Sequence, residues 1–382
     1  MSADSTVEAA IAADRPHEFA PGTAAAAGYR ARLGDPVRVA IVGATGYVGS
    51  ELIRLLSLHP NVRIVGLVGR ERQGDPIAGI HPHLATRDLQ VWDTVPSEAE
   101  TVFLALPHGA VAGRIDEFLD AGQTVVDLGP DFRLHDPADY PTWYHFDHPR
   151  ADLLATAVYG LPELHRAELA DAGTRPGAIV GSPGCYATTT ILALAPLARA
   201  GLIGDLVVDA KSGVSGAGRD PKADLHFGEV NESVKAYGIF THRHIGEIEQ
   251  ELGALGGGDA NPGVRGVDFL PHLVPMTRGI LSAGHVRPTR AVTQAELDAL
   301  YRDAYGEEPF VTVVETPPAT KHVLGSNEAR VWARVDERNG RILAIGVLDN
   351  LVKGAAGQAI QAFNVIHGLP ETAGLLQLPL AP

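Results

Sequence analysis

The only cysteine among 382 residues, Cys185, lies in Ser-Pro-Gly-Cys-Tyr-Ala-Thr-Thr-Thr, just ahead of an apolar run that reads as a helix. A thiolate is a strong nucleophile, and a helix N-terminus favours its negative charge and lowers its pKa. The bland alternative is a buried structural cysteine. Pro183-Gly184 beside it indicates a special backbone rather than a packed strand, so the position favours attack on an electrophile. Such a nucleophile needs a proton carrier, and Thr241-His242-Arg243-His244-Ile245-Gly246-Glu247 offers two imidazoles. If the helix implied by IGEIEQEL begins near Ile245, His244 stands at its entrance and His242 further back on the incoming chain. His-x-His is also a metal-pair spacing, but no Cys, Asp or third His follows at convincing ligand spacing, and no metal is expected.

A second chemical element is Gly43-x-x-Gly46-x-x-Gly49, between the apolar VRVAIV and the amphipathic YVGSELIRLL. A strand, a glycine turn and a helix in that order can present backbone N–H groups and a helix N-terminus to a pyrophosphate. The next strand-like segment, RIVGLVG, runs into Arg70-Glu71-Arg72. Arginine there suits the 2′-phosphate of NADP, whereas an acid such as Glu71 would suit the ribose hydroxyl of NAD; the two arginines favour NADP.

The elements that must position these groups follow from periodicity. IVGLVG, TVFLALP and TVVDLGP are short apolar runs separated by helical or loop spacers, as parallel strands buried on both faces should read. They predict an α/β fold with an N-terminal Rossmann-type doubly wound sheet. After Cys185, DLVVDAKSG, GVDFLPHLVPM, GILSAGHVRP, FVTVVET and EARVWARVDE predict an α+β unit with a mixed or antiparallel sheet. The closing DNLVKGAAGQAIQAFNVIHG returns to helical spacing. Residues 1–36, rich in Ala, Pro and Gly, carry too little apolar surface to offset chain entropy and read as a mobile tail.

Composition narrows the partners. A net charge of −15 without a basic, aromatic-interleaved stretch disfavours nucleic acid. No apolar run approaches the roughly 20 residues of a membrane span. One cysteine and no signal-like opening predict a cytoplasmic enzyme. An anionic ligand must then be met by local cations inside a cleft, because the overall field repels it.

With these motifs in hand, the chain from about Val37 onward resembles the N-acetyl-gamma-glutamyl-phosphate reductase family, of the aspartate-semialdehyde-dehydrogenase-like group. The resemblance rests on VAIVGATGYVGSELIRLL, FLALPHG, DLGPDFRL, GLPEL, SPGCYATTTILAL, KSGVSGAGR, THRHIGEIEQEL, FLPHLVPMTRGIL and LDNLVKGAAGQAIQAFN, in family order. It departs at Gly129-Pro130, where the family often has Ser-Ala. The resemblance implies a Cys185 thioester, His244 as acid-base with His242 as rival, and Glu247 orienting the imidazole. It further implies Arg133 on the acyl phosphate, Thr45, Tyr47 and Val48 with the three glycines on the dinucleotide, and Pro107, Ser182, Gly184 and Asn350 against the nicotinamide half of NADP. It divides the chain into an NADP-binding unit (37–184 and 346–382) and a catalytic and oligomerisation unit (185–345), assembled as a homodimer or homotetramer. The competing expectations are a related reductase of aspartyl or aminoadipyl phosphate and a non-catalytic NADP-binding redox sensor.

Overall fold

The computed structural model describes residues 35–69, 72–85, 87–257 and 260–381. The reading of a mobile tail and the assignment of Arg70 therefore lie outside the described residues, apart from Asp35 and Pro36.

Seven strands form the first sheet: β1 Val37–Val42, β2 Val62–Val68, β3 Val91–Trp92, β4 Thr101–Leu104, β5 Thr124–Asp127, β6 Val158–Tyr159 and β7 Ile179–Gly181. Their order is β3-β2-β1-β4-β5-β7-β6 and every pairing is parallel. All four residues of β4 and of β5 are buried, which explains why these strands read as unbroken apolar runs rather than alternating ones. The winding reverses between β1 and β4, so the crevice at their carboxyl ends is the topological switch point where such sheets bind ligands.

The second sheet contains β8 Ile203–Gly213, β9 Lys235–Ala236, β10 Asp268–Val274, β11 Ile280–Pro288, β12 Val311–Val313, β13 Ala329–Asp336 and β14 Arg341–Leu348. Its order, β12-β13-β14-β11-β8-β10-β9, mixes parallel β8/β10 and β12/β13 pairs with antiparallel neighbours. The mixed sheet agrees with the expectation from sequence. β14 and β9 are additions to it: RILAIGVL merges with the apolar run that follows, and a two-residue strand has no periodicity to detect.

Six helices position the site: α1 Tyr47–Leu56, α2 Pro162–Ala172, α3 Cys185–Arg199, α4 His244–Leu255, α5 Gln294–Tyr305 and α6 Gly357–Ile366. Tyr186 to Ala198 of α3 are buried throughout. Their apolar members pack with Val208, Ile280, Val331 and Ala344 of the second sheet and Ile248 and Leu252 of α4. Each buried Leu or Ile contributes roughly 1.5–3 kcal/mol, so this helix is anchored along its length. Its threonines avoid a desolvation penalty locally: Thr188 donates to the Gly184 carbonyl (3.1 Å), Thr189 to that of Cys185 (2.8 Å), and Thr190 pairs with Ser282. α6 returns to the first sheet, where Phe363 packs on Phe103. Among the described residues, no helix is long and apolar enough to cross a membrane.

Candidate active site

The glycine turn follows β1 directly. Gly43 has φ +84°, and a Cβ there would lie 2.2 Å from the Ala105 carbonyl oxygen, just past β4; only glycine lets these two loops meet at the switch point. A Cβ on Gly49 would strike the Gly43 carbonyl at 2.3 Å, so this glycine serves helix–sheet contact. Gly46 is different: its nearest contact would be 3.6 Å away, and it caps α1 in an extended conformation. No side chain caps α1 and no acid occupies its first turn, so its N–H groups, beginning at Tyr47 and Val48, remain available to an anion. His81 bonds the Ala44 carbonyl and Arg219 donates to that of Thr45 (2.7 Å), bracing the turn from outside. This cradle fits a dinucleotide pyrophosphate. Arg72 is exposed, with its guanidinium on Asp75.

Cys185 is the first residue of α3, four residues beyond the end of β7, and thus stands where the two sheets meet. The loop before it is held by Ser182, whose N–H donates to the Asp127 carbonyl at 2.8 Å. The buried Ser182 hydroxyl has no hydrogen-bond partner within the protein. Pro107 follows β4, and its carbonyl accepts from Ala110 N–H. Asn350 is buried, accepting from Gly279 N–H (2.7 Å) and donating to Ser215 (2.9 Å), so its amide ties the loops around the site together.

His244 begins α4 and is buried with its Nδ1 unpartnered. Its ring lies over Gly184: a Cβ there would be 2.3 Å from His244 Nε2. His242 packs edge-on to His244 with centroids 4.6 Å apart, and its Nδ1 accepts from the His244 backbone N–H at 3.2 Å. The structure therefore brings Cys185, His244 and His242 together. Burial and the Arg243 charge push His242 down to about 4; burial, His242, Arg133 and Arg243 hold His244 well below its usual range.

Two expectations need correction, and Arg133 makes bonds that the sequence does not show. Burial raises the Cys185 thiol above its ordinary value despite the helix N-terminus and the lowering influence of Arg133 and Arg243. The resting site is thus a neutral thiol beside a neutral imidazole. Second, Glu247 does not orient the His244 ring. Its carboxylate accepts from Gly184 N–H and Tyr159 (both 2.8 Å) and from Arg133 Nη1 (3.1 Å), and so fixes the entry to α3. Arg133 is already bonded within the protein through three of its N–H groups. It is buried, donating to the carbonyls of Ser182 (2.7 Å) and Leu128 (2.9 Å) as well as to Glu247, and it is absent from the cavity wall. DLGPDFRL is a brace: Asp131 accepts from Gly109, Val111 and Ala112 N–H, and Asp127 accepts from those of Gly129 and Asp131. Burial and the neighbouring Asp131 push Asp127 up to about 7.

Cys185, His242 and His244 open onto a cavity of about 440 Å³. Its wall also carries His108, Tyr237, Lys222, Lys235 and Arg243, which sequence reasoning passed over. His108 and Arg243 lay within motifs already singled out, FLALPHG and THRHIGE; the lysines are brought in by a long excursion between β8 and β10. Among the described residues, no three His, Cys, Asp or Glu side chains converge as metal ligands.

A Rossmann-type sheet with a cysteine at the helix entrance, joined to a mixed-sheet unit carrying a histidine, defines an oxidoreductase of the semialdehyde dehydrogenase class, which uses a nicotinamide cofactor. Residues 38–172 match the profile "Semialdehyde dehydrogenase, NAD binding domain" and residues 185–350 match "Semialdehyde dehydrogenase, dimerisation domain". The fold is shared with aspartate semialdehyde dehydrogenase II of Vibrio cholerae, solved in complex with ASA (TM-score 0.66, 17% identity, 87% of this chain and 98% of that one). It is shared too with the Candida albicans aspartate semialdehyde dehydrogenase solved with NADP (TM-score 0.64, 17% identity, 88% and 99%). Relatives named N-acetyl-gamma-glutamyl-phosphate reductase include those of Heliobacterium modesticaldum (47% identical, 89% of this chain, 98% of the relative) and Symbiobacterium thermophilum (48%, 89% and 97%). The chain belongs to the N-acetyl-gamma-glutamyl-phosphate reductase family.

Proposed function

We propose that this chain reduces N-acetyl-γ-glutamyl phosphate to N-acetylglutamate semialdehyde with release of phosphate, using NADPH, as a step of arginine biosynthesis. The observation that carries the reading is Cys185 at the entrance of α3 with the His244 ring on the adjacent Gly184. His244, neutral at rest, takes the thiol proton as sulfur attacks the acyl carbon. The carbon–oxygen bond to phosphate breaks, leaving a thioester and an imidazolium. A reduced nicotinamide cofactor, held by the glycine turn at the head of α1, would supply the hydride that reduces the thioester. His244 returns its proton to the carbonyl oxygen, giving a thiohemiacetal on Cys185. Deprotonation of that hydroxyl by the same ring, with cleavage of the carbon–sulfur bond, releases the aldehyde and restores the thiol. Sulfur suits this sequence because a thioester stays electrophilic and thiolate leaves well.

NADP is favoured over NAD by the two arginines after β2, Arg70 and Arg72. A second copy of the chain would cover the open face of the second sheet. Along β8, Leu206, Val208 and Ala210 are buried, while Val207, Asp209 and Lys211 on the opposite face stay partly exposed. The single cysteine accords with a cytoplasmic setting.

The test is the reverse reaction: phosphate-dependent reduction of NADP by N-acetylglutamate semialdehyde, set beside aspartate semialdehyde and beside NAD. The proposal predicts turnover that favours the first aldehyde and NADP. Preference for aspartate semialdehyde would overturn the substrate, preference for NAD the cofactor, and cofactor binding without any turnover would favour the sensor reading.

A further inference from the structure

The helix α1 and the turn between β10 and β11 belong to different sheets, yet a cluster of four charged side chains joins them. Glu51 lies four residues into α1 from Tyr47, about 6 Å along the axis from the N–H groups offered to the pyrophosphate. Its buried carboxylate takes both prongs of Arg278: Nη1 donates to Oε1 at 3.1 Å and Nη2 to Oε2 at 3.0 Å. Arg54, one turn further along α1, donates to the same carboxylate. Nη1 of Arg278 also lies 3.5 Å from Oδ2 of the buried Asp349, which follows β14. Two acids and two arginines balance, so neither buried carboxylate is left uncompensated. Burial works against the Glu51 carboxylate, but Arg278 and Arg54 hold its pKa below the ordinary value.

Asp349 leads on to the nucleophile. Its carboxylate accepts from the N–H groups of Gly325, Leu351 and Val352, and its carbonyl from that of Gly354 at 2.9 Å. Gly354 backs the nucleophile so closely that a Cβ on it would lie 2.8 Å from Cys185 Cβ. Beside Arg278, the Gly279 N–H donates to Asn350 (2.7 Å), and the carbonyls of Met276 and Thr277 accept from Val214 and Ser215. Resting on the function proposed above, we infer that Arg278 is a positioning residue: its fork on Glu51 fixes α1, and the cofactor that α1 holds, at the distance from Cys185 that hydride transfer requires. The two sides of the fork differ in what they lose with it. Asp349 keeps its backbone donors, so the backing of Cys185 stands. Glu51 keeps Arg54 of its own helix, and the reach across falls to Arg54 on the Gly325 carbonyl (3.3 Å) and Arg219 on that of Thr45. Leu52, Ile53, Leu55 and Leu56 anchor α1 in the core of the first sheet, so the helix itself survives loss of the pair.

Acylation of Cys185 by N-acetyl-γ-glutamyl phosphate needs no cofactor, whereas reduction of the thioester needs α1 in place, so the two steps can be read apart. Arg278→Gln is predicted to slow single-turnover hydride transfer from saturating NADPH roughly 10²-fold, the order for an ångström-scale misplacement. Acylation, followed as phosphate release without cofactor, should keep its wild-type rate. The NADPH Kd, read from the fluorescence of the bound nucleotide, should stay near wild type, because the N–H groups at the head of α1 are untouched. Arg278→Lys keeps the charge but cannot span both oxygens, and should slow hydride transfer about tenfold, the loss of one charged hydrogen bond. It carries the test if Arg278→Gln does not fold. Acylation slowed as much as hydride transfer would make the pair a structural one only. Wild-type hydride transfer in Arg278→Lys would remove the role of the fork, and a raised NADPH Kd with an unchanged hydride step would move Arg278 to cofactor binding. Each of these overturns the inference. Wild-type enzyme that is never acylated contradicts the functional reading itself, and that result appears without any substitution.

Discussion

The imidazole of His244 occupies the space that a side chain on Gly184 would need, with Nε2 2.3 Å from the ideal Cβ position. The glycine before the nucleophile is therefore a steric condition for placing the proton carrier. Gly184→Ala should displace the ring and lower kcat roughly 10²-fold, the order expected of an ångström-scale misplacement. Wild-type kcat in this variant would contradict the steric role.

Glu247 and Arg133 form a buried ion pair, and the same carboxylate holds the Gly184 N–H. Glu247→Gln leaves the Arg133 charge uncompensated and should cost about 3–5 kcal/mol of unfolding free energy. Denaturant titration checks the value. A loss below about 1 kcal/mol would mean that the guanidinium finds water or another acceptor.

The two histidines should separate kinetically. His244→Asn is predicted to slow single-turnover hydride transfer by roughly 10²- to 10⁴-fold, the range for loss of a general acid-base group. His242→Asn should act mainly on substrate KM, because its Nδ1 is committed to the His244 backbone. The opposite pattern would reverse the assignment.

Much of this site could be read locally. The glycine turn and its helix were legible because strand, turn and helix are contiguous in sequence, and Cys185 stood out as the only residue of its type. The ion pair of Arg133 was not, because its carboxylate partner lies 114 residues away and nothing near DFRL signals a buried acid. Nor was the raised thiol of Cys185: the helix N-terminus is visible in sequence, but the desolvation that outweighs it depends on packing from several segments. Lys222 sits among exposed residues of an irregular stretch, and only the folded cavity distinguishes it from a solvated surface charge.

Acid should destabilise the fold through the neutral histidines. Unfolded, His242 binds a proton near its ordinary value of about 6.5; folded, it resists until about 4. The unfolded chain thus holds more protons between these limits, and stability falls as pH drops through that window. His242→Gln should flatten the slope of unfolding free energy against pH between about 6.5 and 4. An unchanged slope would place the acid sensitivity elsewhere, such as at His244 or His59, whose pKa values burial also lowers.

The covalent step is open to direct observation. Enzyme mixed with N-acetyl-γ-glutamyl phosphate in the absence of nicotinamide cofactor, quenched in acid and analysed by intact and peptide mass spectrometry, should carry one N-acetylglutamyl group on Cys185. Cys185→Ser should carry no thioester and should not turn over. Full turnover by Cys185→Ser, or an acyl group located on any other residue of the wild type, would contradict a thioester at the head of α3.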